Sequence, residues 1–134
     1  MPTVENALLT LKTVDDKVTI IVDFDSRFTP FERQLAALGM SYHSHVDVVG
    51  IDNGTDIGPT IVSFEHEPLQ PDTKSSGDQL IHKTLKLTVD RSTLQEDPDP
   101  GNADELEANI RIHAPQTPVE FTDDKYTNQE VLLG

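Results

Sequence analysis

Two histidines separated by one residue are the sharpest chemical signal in the sequence. His43 and His45 lie in a stretch, residues 41–51, whose later part is rich in β-branched side chains and is predicted to be a strand. Residues two apart in a strand project from the same face, about 6–7 Å apart along it. Because neutral imidazoles bind divalent transition metals, we interpret His43 and His45 as candidate metal ligands.

A complete metal site would need further ligands, because two imidazoles alone seldom make a closed site. Asp47 continues the same face but lies farther along the strand, so a neighbouring strand would have to contribute a residue such as His66 or His82. The competing interpretation is that both histidines are outward-facing polar residues of a half-exposed strand. The sequence favours this second interpretation, under which the protein has no cofactor.

Acidic loops form a second group of candidate ligands, because calcium takes six to eight oxygen atoms from such loops. The acidic and amide residues surround Gly54 and Gly101; they are Asp52, Asn53, Asp56, Asp97, Asp99, Asp104 and Glu105. Neither loop has the regular D-x-D-x-D-G pattern with a distal glutamate. Aspartate and asparagine are also ordinary turn residues, so we interpret both stretches as turns.

The sequence contains none of the motifs by which common catalytic sites are recognised. It has no G-x-S-x-G, S-x-x-K or H-E-x-x-H, and its seven glycines form no G-x-G-x-x-G. The chain has no cysteine, which excludes disulfides, thiolate metal sites and a cysteine nucleophile. We therefore predict no catalytic residue and no cofactor-binding residue.

The chain of 134 residues is strongly acidic, with a formal net charge of −14. That charge repels nucleic acid backbones and anionic membranes, so neither is an expected partner. No apolar stretch is long enough to span a bilayer, and Met1–Asn6 lacks the basic start and apolar run of a signal peptide. We expect a cytoplasmic protein, with export without a recognisable leader left open, whose partner is another protein or a second copy.

Alternation of apolar and polar residues predicts a chain built mostly of strands. Residues 7–14 and Val18–Asp25, joined by a short polar turn, are typical of an antiparallel hairpin. The clearest strand is Glu105–Ala114, in which the even-numbered residues should be buried and Arg111 should be exposed. Further strands are predicted at 60–67, 80–90, 119–122 and 129–133, with the histidines of 80–90 and 105–114 on polar faces.

One short helix is predicted between Thr29 and Gly39. Thr29 can be the N-cap, Pro30 suits the first helical position, and Glu32 completes a capping box. Gly39 suits the left-handed residue that ends many helices. Three apolar residues share one face, which we expect to close one end of the β core: Phe31, Leu35 and Leu38.

Seven or eight strands, turn-rich loops and one short helix predict a single domain over residues 1–134. The expected fold is mostly β, an antiparallel β-sandwich of immunoglobulin-like type, with a small β-barrel as the alternative. The acidic, proline-containing segment at about 92–104 is predicted to be an exposed loop.

Three kinds of function remain open on this evidence. The first is a non-catalytic module that acts through protein contacts, in a structural or binding role, because the strands leave sheet edges that need cover or a partner. The second is a metal-dependent enzyme or metal-binding protein that uses His43 and His45. The third is a carrier of a small ligand in an apolar cavity.

Overall fold

The computed structural model of the chain consists mainly of strands. It describes residues 2–52, 56–73, 77–94, 103–114, 125–128 and 130–133. The helices are α1 (Pro30–Ala37) and the single turn α2 (Arg91–Leu94), and no helix in these ranges is long and apolar enough to cross a membrane. The strands are β1 (Thr3–Val14), β2 (Lys17–Phe28), β3 (His43–Asp52), β4 (Asp56–Ser63), β5 (Glu67–Pro68), β6 (Gln79–Asp90), β7 (Ala103–His113), β8 (Lys125–Tyr126) and β9 (Glu130–Leu133).

The strands form two antiparallel sheets. One has three strands in the order β1-β2-β6, and the other has the order β4-β3-β7-β8, with β5 also paired to β3 and β9 to β7. The constant-type immunoglobulin sandwich also divides its strands between two antiparallel sheets, with A, B, E and D in one and C, F and G in the other. The predicted β-sandwich is therefore confirmed, whereas the barrel is not what the described strands form.

The predicted hairpin is present and is longer than expected. β1 and β2 pair up to Val14 and Lys17, so Asp15 and Asp16 alone form the turn. Asp15 has a φ of +56°, in the left-handed region that aspartate enters more readily than most residues. A two-residue turn of this kind allows the two strands to continue as one antiparallel ladder.

The core lies between the two sheets, and the alternation of β2 and β7 determines its composition. Successive residues of a strand point to opposite faces, so every second side chain enters the core. The prediction for both strands is confirmed, because these residues are all fully buried: Val18, Ile20, Val22, Phe24, Leu106, Ala108, Ile110, Ile112 and Ala114.

Two polar residues near the end of the described chain connect the sheets. The Leu9 backbone N–H in β1 donates to Asn128 Oδ1 at 2.8 Å, and Asn128 Nδ2 donates to the Leu9 carbonyl at 3.2 Å. The Thr127 N–H donates to the Ala108 carbonyl in β7 at 3.0 Å, and Thr127 Oγ1 accepts from the Ala108 N–H at 2.9 Å. These residues thereby satisfy backbone groups of both sheets, which would otherwise lack partners.

Helix α1 has the predicted limits but not the predicted cap. It follows the N-cap Thr29 and has Pro30 in its first turn. The Thr29 side chain makes no hydrogen bond to the helix backbone, so the capping box is wrong; its hydroxyl donates to the Glu32 carboxylate instead. The Thr29 hydroxyl is therefore hydrogen-bonded to the buried Glu32 carboxylate and does not cap the helix backbone.

The face that α1 turns to the sheets is the opposite of the predicted one. Glu32, Arg33 and Ala36 are buried, whereas Phe31 is 64% exposed and Leu38 is 85% exposed. The expectation that Phe31 and Leu38 face the core is therefore wrong, although Ala36 of the same helix belongs to it.

Hydrogen bonds explain why polar residues of α1 can be buried. Arg33 Nε donates to the Asp72 carbonyl at 2.6 Å and Nη1 donates to the Gly77 carbonyl at 2.7 Å. The Tyr42 hydroxyl donates to the Glu32 carbonyl at 3.0 Å, and burial raises the pKa of Tyr42 to about 12. Since buried polar groups are tolerated when they are hydrogen-bonded, these long-range partners outweigh the local amphipathic pattern.

The end of α1 follows the prediction at Gly39. The Gly39 N–H donates to the Ala36 carbonyl and the Met40 N–H to the Leu35 carbonyl, each at 3.0 Å, which is the Schellman pattern. Gly39 has a φ of +106°, and a Cβ added there would meet no atom within 4 Å. Any effect of a side chain at Gly39 therefore comes from the backbone conformation.

Gly39→Ala is expected to lower the free energy of unfolding by about 1–2 kcal/mol, because an L side chain disfavours this conformation. Chemical denaturation of both proteins measures the difference. Gly39→Asn is the control and should lose less, since asparagine tolerates the left-handed region. Equal stability of Gly39→Ala and the parent protein would contradict the assigned helix end.

Two predicted loops differ from the structure. β4 begins at Asp56, inside the predicted turn, and β7 includes Asp104 and Glu105, so these calcium candidates lie in strands. Of the predicted loop at 92–104, α2 takes residues 92–94 and β7 takes 103–104. The remaining part of that loop, the predicted strand at 119–122 and the candidates Asn53, Asp97 and Asp99 lie outside the described residues.

Candidate functional site

Four of the five histidines converge on the outer face of the six-stranded sheet. His43 and His45 project from the same face of β3, since the Ser44 between them is fully buried. His113 of β7 is the register partner of His43. β5 pairs Glu67 with Ser44, and continuing that register by one residue places His66 opposite His45.

The imidazole rings lie in contact distance of one another. Ring centroids are 4.4 Å apart for His45 and His66, 4.7 Å for His66 and His113, and 6.0 Å for His45 and His113. His43 adjoins this triangle, with its ring centroid 6.0 Å from that of His113. These four residues, which we call the histidine cluster, therefore form one connected group contributed by β3, β7 and the segment before β5.

An arginine–aspartate pair borders the histidine cluster. Arg111 Nη2 donates to Asp47 Oδ2 at 2.6 Å, and Asp47 Oδ1 accepts from the Ser63 hydroxyl at 2.5 Å. The Arg111 side chain is only 20% exposed, so its predicted exposure is wrong. It lies along the sheet because the carboxylate of Asp47, on the neighbouring strand, offsets its charge.

The same guanidinium contacts a member of the cluster. Arg111 Nη2 lies 3.1 Å from His45 Nδ1 and 3.2 Å from Nε2, and His45 Nε2 lies 3.3 Å from Asp47 Oδ1. His45 therefore lies between the guanidinium of Arg111 and the carboxylate of Asp47.

The nitrogen atoms of the cluster do not surround a common point. Among the described residues, no group of three or more histidine, aspartate or glutamate side chains is arranged to hold a metal ion. The backbone thus brings candidate ligands together, while their rings remain stacked and tilted against one another rather than directed at one centre.

His82, the other residue considered as a third ligand, belongs to the three-stranded sheet. Its side chain is 63% exposed, with Nδ1 2.8 Å from Asp25 Oδ1 and Nε2 3.6 Å from Asp23 Oδ1. Hydrogen bonds from the Asn6 side chain and then from His82 lower the pKa of Asp25. His82 is thus a surface partner of two carboxylates and is not part of the cluster.

His113 is the member of the cluster that its sequence context alone does not single out as a ligand. Its place on the polar face of a strand was predicted. Its proximity to His43, however, depends on which strands pair. The one available signal is that R-x-H at 111–113 and H-x-H at 43–45 both lie on polar faces. That similarity becomes informative only once β3 and β7 are known to be adjacent.

A second feature is the outer face of α1, which we call the α1 apolar face. Phe31, Leu35 and Leu38 share this face, and Leu35 is half-buried whereas the other two are mostly exposed. Singly exposed apolar residues are ordinary. Large apolar side chains grouped on one surface element more often mark an interaction surface.

A groove of about 490 Å³ lies between β6 and the segment from Ser63 to Glu67. Phe64 and Leu85 contribute buried apolar surface, while Glu65 and Lys86 contribute charge at the sides. The groove is open to solvent and has a mixed lining. It therefore does not provide the enclosed apolar cavity that would favour a small-ligand carrier.

Comparison with known proteins adds information on the fold alone. No protein-family model matches the sequence, and no curated protein matches it significantly. A solved structure of a bacterial adhesin from Mobiluncus mulieris, containing intramolecular disulfide, isopeptide and ester bond cross-links, is similar with a TM-score of 0.55 and 14% sequence identity. The match covers 94% of this chain, which spans 48% of the adhesin chain.

The comparison agrees with the β-sandwich described above and has one clear limit. The adhesin contains a disulfide cross-link, whereas this chain has no cysteine and cannot form one. The two proteins therefore share an architecture, and at least one of the covalent features of the adhesin is not shared.

Proposed function

We propose that this chain is a non-catalytic β-sandwich module that acts through protein contacts, and that the α1 apolar face is its contact surface. The observation that carries the proposal is the reversed orientation of α1, which buries Glu32 and Arg33 and leaves Phe31 and Leu38 mostly exposed. Burial of such side chains at an interface stabilises a complex, because it removes apolar surface from water.

We propose a second copy of the chain as the partner at the α1 apolar face. Homo-oligomers mostly have two-fold symmetry, in which the same patch of both subunits meets. A helix that presents Phe31 and Leu38 on one side can pair with its own symmetry mate in this way. The adhesin with the similar fold supports a binding role in the broader sense.

Sedimentation equilibrium of the purified chain tests this proposal. The parent protein should self-associate, and a Phe31→Ser/Leu38→Ser double variant should associate at least about tenfold more weakly, equivalent to about 1.4 kcal/mol. Raising the salt concentration should strengthen association of the parent protein, because salt screens repulsion between two copies that each carry a net charge of −14.

Val14→Ser is the matched control, since Val14 is 69% exposed but lies at the tip of the hairpin. This variant should associate like the parent protein. Thermal unfolding of all three proteins should show that the substitutions leave the fold intact. A parent protein that stays monomeric, or equal weakening by Val14→Ser, would refute the α1 contact.

A further inference from the structure

We infer that the histidine cluster binds one divalent transition-metal ion after its rings rotate. His45, His66 and His113 would be the ligands, and His43 would be an adjacent fourth imidazole. This inference does not depend on the α1 apolar face, which lies on a different element. It extends the sequence-based pair His43 and His45 by residues that only the folded chain brings near.

The spacing of the rings is the first argument. Two imidazoles that bind one tetrahedral zinc ion through nitrogens at about 2.0–2.1 Å have ring centres about 5 Å apart. The three separations within the triangle, 4.4, 4.7 and 6.0 Å, lie on both sides of that value. The rings therefore need to rotate towards a common centre, but the strands that hold them need not move far.

The backbone that carries the ligands is held on both sides of β3. His45 and His113 belong to strands paired by a continuous register. The segment with His66 is attached to β3 and to the residue before it, because the Phe64 N–H donates to the Val46 carbonyl at 2.9 Å and the Leu69 N–H to the Tyr42 carbonyl at 2.8 Å. His66 itself is exposed, so its ring has room to turn.

The charges around the cluster are compatible with a bound cation. The carboxylate of Asp47 lies beside His45, with Oδ1 3.3 Å from Nε2. Arg111 opposes a cation, and its contact with His45 must be released when the metal takes a ring nitrogen. Asp47 can retain the guanidinium, since their bond of 2.6 Å is the shorter of the Arg111 contacts.

The donor chemistry determines the class of metal. Imidazole nitrogen suits zinc, copper and nickel, whereas calcium and magnesium require oxygen ligands. A chain without cysteine offers no thiolate competitor for the same ions. The expected metal is therefore Zn²⁺, Cu²⁺ or Ni²⁺, bound at one ion per chain.

Calorimetric titration of the full chain, purified without an affinity tag, with Zn²⁺ at neutral pH tests the inference. One saturable equivalent is expected, together with a rise in thermal stability on binding. His66→Gln and His113→Gln should each weaken binding by more than about 100-fold, because residues that only orient a ligand typically cost about 10–100-fold. Cu²⁺ should show nitrogen ligation by electron paramagnetic resonance, and this signature should diminish in both variants.

His82→Gln is the matched control, because His82 is an exposed histidine of the other sheet, beside Asp23 and Asp25. It should bind Zn²⁺ like the parent protein. Binding by the parent protein should be lost well below about pH 6.5, where imidazoles become protonated. The inference is overturned if no saturable binding occurs, if His82→Gln weakens binding as much as His66→Gln, or if neither cluster variant has an effect.

Discussion

Replacing Ile110 by alanine is expected to lower the free energy of unfolding by about 2–5 kcal/mol, through lost burial and the cavity left behind. Ile110 is fully buried and lies opposite Val46 of β3, near the middle of the register between β3 and β7. The side chain lies in the core between the two sheets, so its neighbours can fill only part of the space that the isoleucine leaves. Urea denaturation of the two proteins measures the loss.

Ile21→Ala is the matched control for this experiment. It removes the same atoms from the outward face of β2, where Ile21 is half-buried while its neighbours Ile20 and Val22 are fully buried. The loss should be much smaller than for Ile110→Ala, since less apolar area returns to water. Similar losses for the two variants would show that Ile110 does not occupy the centre of the core.

Arg33→Met is expected to lower the free energy of unfolding by about 2–4 kcal/mol, because hydrogen bonds made by charged groups contribute about 1.5–3 kcal/mol each. Arg33 is 4% exposed and donates to the carbonyls of Asp72 and Gly77. Methionine can fill the space of the stem but leaves both acceptors without this donor. The buried contact of α1 with this part of the chain is therefore expected to weaken.

Arg27→Met provides the contrast between a buried and a surface arginine. Arg27 makes a two-bond contact with Glu5, with distances of 3.0 and 3.1 Å, but its side chain is 36% exposed. Exposed ion pairs typically contribute about 0–1 kcal/mol, so denaturation should show only a small loss. If both arginine variants lose the same stability, burial is not what makes Arg33 important.

Local patterns were sufficient to predict several elements of this fold. The period of two in β2 and β7 correctly identifies their buried faces, and the short polar link correctly predicts the hairpin. Gly39 correctly marks the end of α1. These features depend on residues close in sequence, where the pleat of a strand or the conformation of a glycine dictates the outcome.

Features that depend on distant residues were not predictable in the same way. The apolar spacing of Phe31 and Leu38 predicts a face turned to the core. In the structure the opposite face is buried, because Arg33 donates to the carbonyls of Asp72 and Gly77. The cluster shows the same limit. The common face of His43 and His45 follows from strand geometry, whereas their proximity to His113 requires knowledge of strand order.

The hydrogen bonds between the Leu9 backbone and the Asn128 side chain join positions 119 residues apart. Loop closure over such a separation has a high entropic cost, and domains rich in distant contacts fold slowly. During synthesis, β1 and β2 can form a hairpin early, but the edge of β1 receives this partner only after residue 128 has emerged from the ribosome. The edge of β1 therefore acquires this partner later than it pairs with β2, which makes the contact with Asn128 a late event in folding.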